Sequence, residues 1–307
     1  MICPHNIGDF LINGGFCSAL RKRKQKKFCV LIARKAMEKL GITFVDVRET
    51  VYISTEDMGN IQLYIIASSR YETDRYIYGH FKLQGEDFIW DEERCFFDRY
   101  RCNVFHLPPD TPLLAPLVLE LSLREKEQLH GKFRLNSRKT VILAPYANST
   151  EQLLSEEEWQ ELALLLRQRG FVVYTNIVGD KEAVIPGTMP LQVSFRELHY
   201  LADKVCCVVG QRSGLFDFLL FTPAKIICLL SPDRWHDKLE TNYPRRNIFT
   251  LYYGIFYVPY LEEYRAKHNI PAHQIVNMNF PHVNPDEVYY ERRELFAAIL
   301  SIMQELS

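Results

Sequence analysis

The residues best suited to chemistry stand in one glycine turn. Gly210, Gln211, Arg212, Ser213 and Gly214 follow the apolar run 205–209, VCCVV, and precede a short apolar helix over 215–221 and a second apolar run over 225–230. Near-continuous apolar runs suit parallel strands covered on both faces, so the stretch reads as a βαβ unit. The turn then lies where a strand's carboxyl end meets a helix amino terminus. Unpaired backbone N–H groups and the positive end of the helix dipole converge there, and Arg212 adds a planar guanidinium fork. Such a set of donors binds phosphate oxygens. The same residues also make an ordinary tight turn with a surface arginine. A second candidate is Asp9, which follows Gly8 at the amino end of an apolar helix, where a carboxylate caps free amides.

The elements that hold these residues follow from length and pattern. A chain of 307 residues exceeds one ordinary core and predicts two domains of roughly 150 residues each. Residues 140–147 (TVILAPYA), 171–178 (FVVYTNIV), 205–209 and 225–230 predict buried strands, separated by helices over 156–169 and 194–203. Both helices open on a serine with a glutamate three residues on, Ser155 with Glu158 and Ser194 with Glu197, which is a capping box. Strand and helix alternate as in a doubly wound parallel sheet. Further strands are expected at 28–33, 42–47, 61–68 and 247–258, and helices near 34–40, 113–130 and 286–306. The apolar residues of the first helix, Phe10, Leu11, Phe16, Ala19 and Leu20, give it one buried side, weakened by Gly14 and Gly15. The tract 70–106 is rich in Tyr, Phe and charge and carries no motif. The short basic stretch 131–139 is the candidate linker. The resulting plan is a first domain over 1–135, a second over 136–285, and a terminal helix over 286–307 able to pack back on the first.

Composition narrows the function. Hydrophobic residues make up 47% and charged residues 24%, and the net charge is −1, so the whole-molecule field gives no argument for nucleic acid. The eight cysteines contain no C-x-x-C pair and several fall inside apolar runs. They predict small buried hydrophobes kept reduced in a cytosol, not a metal or redox motif. No apolar run approaches the roughly 20 residues of a membrane span, and the amino terminus lacks the order of a secretory signal. A cytoplasmic protein is expected. The run RKRKQKK, from Arg21 to Lys27, places six positive charges in seven residues. It suits either a solvated helix end or peripheral contact with the anionic inner face of the cytoplasmic membrane. No G-x-G-x-x-G follows a strand, which speaks against a dinucleotide enzyme.

With these motifs in place, the chain resembles a GT-B glycosyltransferase of the lipopolysaccharide heptosyltransferase kind, glycosyltransferase family 9. The family's amino-terminal G-D-x-L is matched by Gly8, Asp9, Phe10 and Leu11, with the basic run following. Its second domain opens like ILAPYANST, EEEWQELALLLRQRG and FVVYTN, and its later signature is similar to FRELHYLADKVCCVVGQRSG. Three departures stand out. The family's acid before Ser-Gly is Arg212 here, and its histidine four residues after the serine is Asp217. The lysine before the tryptophan helix is absent, with Gln152, Leu153 and Leu154 in that region.

The resemblance implies two Rossmann-like, doubly wound parallel-sheet domains facing a central cleft, the first for the acceptor and the second for the nucleotide sugar. It implies a metal-independent, inverting transfer of a sugar from a nucleoside diphosphate to a glycan, lipid-linked or protein-linked acceptor, as in surface polysaccharide or lipopolysaccharide synthesis, with no cofactor. Asp9 matches the family's catalytic base. Candidates for the diphosphate are Ser149 or Thr150, Arg212, and the Ser213 and Gly214 amides. Asn176 and Glu182 are placed for base and ribose, and Asp217 for a sugar hydroxyl or a structural role. No D-x-D triplet occurs, which argues against the metal-dependent GT-A plan. The competing expectation is a catalytically silent GT-B protein that binds a nucleotide sugar or a partner transferase.

Overall fold

The computed structural model of the chain describes residues 1–79, 99–147, 152–178, 182–211, 213–230, 248–253, 289–290 and 292–306. They form two compact units, Met1–Glu120 with Ser194–Arg196, and Leu121–Val193 with Glu197–Ser307.

In the first unit, β1 (Ile2–Cys3), β2 (Cys29–Arg34) and β4 (Val47–Ile53) make a parallel sheet in the order β1-β2-β4. Helix α1 (Ile7–Arg23) connects β1 to β2, and β3 (Ile42–Thr43) pairs antiparallel with β5 (Leu117–Val118). Every residue of α1 from Phe10 to Ser18 is buried, so the helix is enclosed on all sides and not on one. Its glycines make this possible. A Cβ on Gly14 would stand 2.3 Å from the Phe44 ring, and one on Gly15 would stand 2.4 Å from the Leu113 side chain. The helix thus gives up intrinsic propensity to let its neighbours approach.

Helix α2 (Thr55–Ser68) corrects an expectation, because 61–68 is helical and the strand of that region is β4. Ser54 caps α2 by accepting the Asp57 amide at 3.0 Å. Met58 and Ile65, two turns apart, are its buried stripe. The expected helix at 34–40 is a 3-10 turn, Lys35–Leu40. The expected helix at 113–130 is shorter, α3 (Leu123–Lys132), and begins at Ser122, which shares a capping box with Glu125.

The second unit carries a seven-stranded parallel sheet in the order β12-β11-β10-β9-β6-β7-β8. Its strands are β6 (Thr140–Ala144), β7 (Val172–Asn176), β8 (Met189–Leu191), β9 (Cys207–Gln211), β10 (Ile226–Leu230), β11 (Ile248–Tyr253) and β12 (Tyr289–Tyr290). Among the described residues its helices are α4 (Glu156–Gln168), α5 (Phe195–Leu201), α6 (Gly214–Leu219) and α7 (Arg292–Leu306). All five residues of β6 and of β9 are buried, as strands covered on both faces must be. The expected capping box of α4 forms, with the Ser155 amide 2.8 Å from Glu158 Oε2 and the Glu158 amide 3.2 Å from Ser155 Oγ.

Trp159, Leu162 and Leu166 of α4 pack with Val141, Leu143 and Val209 in one core. Leu295, Phe296, Ile299, Leu300 and Met303 of α7 belong to that same core. The apolar stripe of the terminal helix is therefore engaged in the core of the second unit. Among the described residues no helix is long and apolar enough to cross a membrane.

Gly210 pairs with Ala144 where β9 meets β6, and a Cβ on it would lie 2.3 Å from the Ala144 carbonyl oxygen. Gly131, in exposed α3, has nothing within 4 Å of its missing Cβ. The two substitutions to alanine should move stability in opposite directions. Gly210→Ala should cost about 1–3 kcal/mol by overpacking against rigid backbone, and Gly131→Ala should gain about 0.5–1 kcal/mol of helix propensity. Urea denaturation of both variants checks the pair.

Candidate functional site

The first unit builds a polar cluster where β1 ends. The chain leaves β1 at Cys3 and enters α1 at Ile7, which puts Asp9 in the first helical turn. Its Oδ2 accepts the Asn6 amide at 3.3 Å and its Oδ1 accepts the hydroxyl of Tyr100. Tyr100 is fully buried and comes from a π-helical turn, Arg99–Val104, in the tract where sequence showed no motif. Asn13, one turn further along α1, is also fully buried and donates to the carbonyls of Asp9 at 2.6 Å and Gly79 at 2.9 Å. Asn13 thus ties the turn that carries Asp9 to the segment that leaves the sheet edge.

The electrostatics of Asp9 differ from those of an ordinary helix cap. Burial raises its pKa above the usual carboxylate range, outweighing the Tyr100 hydrogen bond, the nearby His5 and the Asn6 amide, which all favour the charged form. Burial also lowers the pKa of His5, partly offset by the Asp9 charge. Arg34, the last residue of β2, is close enough for its charge to act on His5 and on Cys3. The site of Asp9 is therefore a carboxylate with an imidazole near it, bonded by a buried phenol, and Arg34 acts on that imidazole.

In the second unit, β9, β6 and β7 are adjacent and parallel, so their carboxyl ends line one edge of the sheet. Asn176 closes β7 and is 6% exposed. Two residues on, the Val178 amide donates to Glu182 Oε2 at 2.6 Å. Ser213 stands in extended conformation as the N-cap of α6, which begins at Gly214, and its carbonyl accepts the amides of Phe216 and Asp217 at 2.9 and 3.2 Å. The Ser213 hydroxyl is shielded from solvent without a hydrogen-bond partner among the described residues. Asp217 is buried inside the first turn of α6. Ser149, Thr150 and Arg212 lie outside the described residues.

The edge also uses a residue that was read only as part of the glycine turn. Gln211, the last residue of β9 and 1% exposed, accepts the Leu153 amide at 2.9 Å through Oε1. It anchors Leu153, shortly before α4 begins. Tyr100 and Asn13 had no local signal. A polar residue at the last position of an apolar strand, as with Arg34 and Gln211, is the one clue that sequence offered.

No protein-family model matches the chain, and no curated protein does. Solved structures do. A glycosyl transferase of family 9 from Veillonella parvula matches over 98% of this chain and 95% of its own, with a TM-score of 0.59 at 12% identity. The ADP-heptose lps heptosyltransferase II of E. coli matches over 99% and 98%, with a TM-score of 0.58 at 14% identity. The fold is GT-B. The E. coli heptosyltransferase WaaC, solved with ADP, covers 100% of this chain and 98% of its own, with a TM-score of 0.50 at 8% identity. At these identities the GT-B likeness is one of fold, carried by parallel α/β architecture over nearly the full chain.

The raised pKa of Asp9 has a thermodynamic sign. A carboxyl whose folded pKa exceeds its unfolded value, about 3.9, contributes stability below the unfolded pKa and loses it as pH rises through the folded one. Asp9→Asn should therefore melt higher than the unsubstituted chain at pH 7, with the gain shrinking as pH falls through the raised folded pKa and gone by about pH 4. Thermal melts of the two proteins from pH 3 to 8 measure this. A variant that melts lower at pH 7 would mean the carboxylate's hydrogen bonds outweigh its burial.

Proposed function

We propose that the chain is a metal-independent, inverting glycosyltransferase that moves a sugar from a nucleoside diphosphate to a glycan or glycoconjugate acceptor. The observation that carries this reading is Asp9, a carboxylate at the start of α1 whose basicity burial raises, in a chain with the fold of family 9 transferases. In the proposed reaction the acceptor hydroxyl attacks the anomeric carbon while the diphosphate departs. An alcohol becomes acidic only as its oxygen bonds to carbon, so its proton passes to Asp9 late in the step. A helix amino terminus by itself keeps a carboxylate ionised and a weak base. Burial makes it a stronger one, and Tyr100 and His5 hold it in the ionised form that accepts the proton.

Charge that develops on the diphosphate needs donors. We assign this to the amides of Ser213 and Gly214, to Arg212, and to Ser149 or Thr150. The unpartnered Ser213 hydroxyl supports the assignment, because a buried hydroxyl without an acceptor costs about 1–3 kcal/mol and a phosphate oxygen would satisfy it. Asn176 and Glu182 are proposed for base and ribose, with Glu182 shaping its loop through the Val178 amide. Asp217, buried within α6, is given the structural role. WaaC was solved with ADP, so adenosine diphosphate is the first nucleotide to test. Peripheral membrane contact through the basic run and a cytoplasmic setting belong to the same proposal.

The replacement of the family's acid and histidine by Arg212 and Asp217 favours a second reading, a silent GT-B protein that binds a nucleotide sugar or a partner transferase. Calorimetric titration with ADP, GDP, UDP and CMP separates the readings when combined with turnover assays. The enzyme reading expects one nucleoside diphosphate to bind without metal and to weaken at least tenfold in Arg212→Ala. It expects Asp9→Asn to bind that nucleotide as before while kcat falls by about 10²–10⁴. Nucleotide binding without turnover across nucleotide sugars would favour the silent protein, and no nucleotide binding in the folded chain would sink the transferase reading.

If Asp9 is the base, activity must also fall on the acid side as its carboxylate takes up a proton. The raised pKa puts that limb above the ordinary carboxylate value of about 3.9. Tyr100→Phe removes a hydrogen bond that favours the charged form, so its acid limb should lie at higher pH still. The pH profile of kcat/KM for the two proteins reads this directly, and superimposable limbs would separate Tyr100 from the base.

A further inference from the structure

Two of the cysteines stand apart from the buried, inert set that the sequence predicts. Cys17 lies in α1 and is fully buried, while Cys29 opens β2 and is half-buried. Both are reduced, and their sulfurs are 3.5 Å apart. Cys29 also lines a cavity of about 480 Å³ in the first unit, walled by apolar side chains such as Ile2, Val30 and Ile77. The charged side chains that line this cavity are Arg21, Lys24, Lys26, Lys27, Arg75 and one carboxylate, Asp74. Arg21 is paired with Asp46 at 3.1 Å, and Lys24 with Glu72. Lys26, Lys27 and Arg75 still exceed Asp74 in charge, and the Met1 ammonium bonds the neighbouring Val30 carbonyl at 2.9 Å.

We propose that Cys29 and Cys17 are a peroxide-oxidisable pair, with Cys29 as the attacking sulfur, reached through the cavity, and Cys17 as the resolving one. The hydrogen bond between the sulfurs, helped by the Met1 ammonium, holds the Cys29 thiol down to about 6. The same bond, together with burial, pushes the Cys17 thiol up. Cys29 is thus ionised at neutral pH with a protonated partner behind it. The Cys29 thiolate attacks one oxygen of the peroxide, the O–O bond breaks, and sulfenic acid and hydroxide result. The Cys17 sulfur then attacks the sulfenic sulfur. An S–S bond forms, the S–O bond breaks, and the departing hydroxide takes the Cys17 proton as water. Two electrons pass from the thiol pair to the peroxide. The sulfurs must close by about 1.5 Å to reach disulfide length.

The full chain treated with a few equivalents of hydrogen peroxide at pH 7, blocked with a maleimide and mapped by non-reducing peptide mass spectrometry gives the test. The wild type should yield a peptide cross-linked between Cys17 and Cys29. Cys17→Ser should yield no cross-link and a dimedone-trapped sulfenic acid at Cys29. Iodoacetamide alkylation of Cys29 should be half-maximal near pH 6 in the wild type and move toward the ordinary thiol value of about 8.5 in Cys17→Ser. The proposal is overturned if Cys29 of the wild type is oxidised no faster than half-buried Cys102, or if the cross-link formed omits either sulfur. The comparison with Cys102 needs no variant, so it decides even where Cys17→Ser fails to fold.

Discussion

A parallel sheet buried on both faces has nowhere to expose polar groups except at its strand ends, and the second unit is arranged by that constraint. Strands β6 and β9 are apolar and fully covered, so their unpaired donors and acceptors are confined to the sheet edge. There the backbones press together closely enough that Gly210 cannot carry a Cβ against the Ala144 carbonyl. The next residue, Gln211, turns its buried amide oxygen to the Leu153 amide and holds the neighbouring loop in place. Loop positions at this edge are thus consequences of how the core strands meet. Substitutions that loosen the core at Gly210 would reach the Ser213 turn through backbone position, with no change in the turn's own residues.

At Asp9 two effects of opposite sign meet. A helix amino terminus lowers a carboxylate pKa by roughly what a dipole end contributes at a partly buried position, up to about 2 kcal/mol. Desolvation acts the other way, and the enclosure of α1 on all sides makes it the larger effect here. The glycines at 14 and 15 take part in this balance. By admitting Phe44 and Leu113 they let the core close around the helix from Phe10 to Ser18, the stretch that directly follows Asp9.

The second unit was legible in sequence because its signals are local. Apolar runs five residues long and the capping box at Ser155 each lie within a few residues of what they specify, whereas Gly210 and Gln211, expected in a turn, are the last residues of β9. Residues 61–68 misled because a continuous apolar run fits a buried strand and a helix equally until its start is considered. Ser54, with Asp57 three residues on, was the discriminating feature, since it caps the helix from outside the run. The role of Tyr100 was not legible at all. Its hydroxyl meets Asp9 across 91 positions of chain, and only the folding of the first unit brings them together. The cysteine pair was hidden for the same reason, since spacing along the chain says nothing of a helix lying against the strand that follows it.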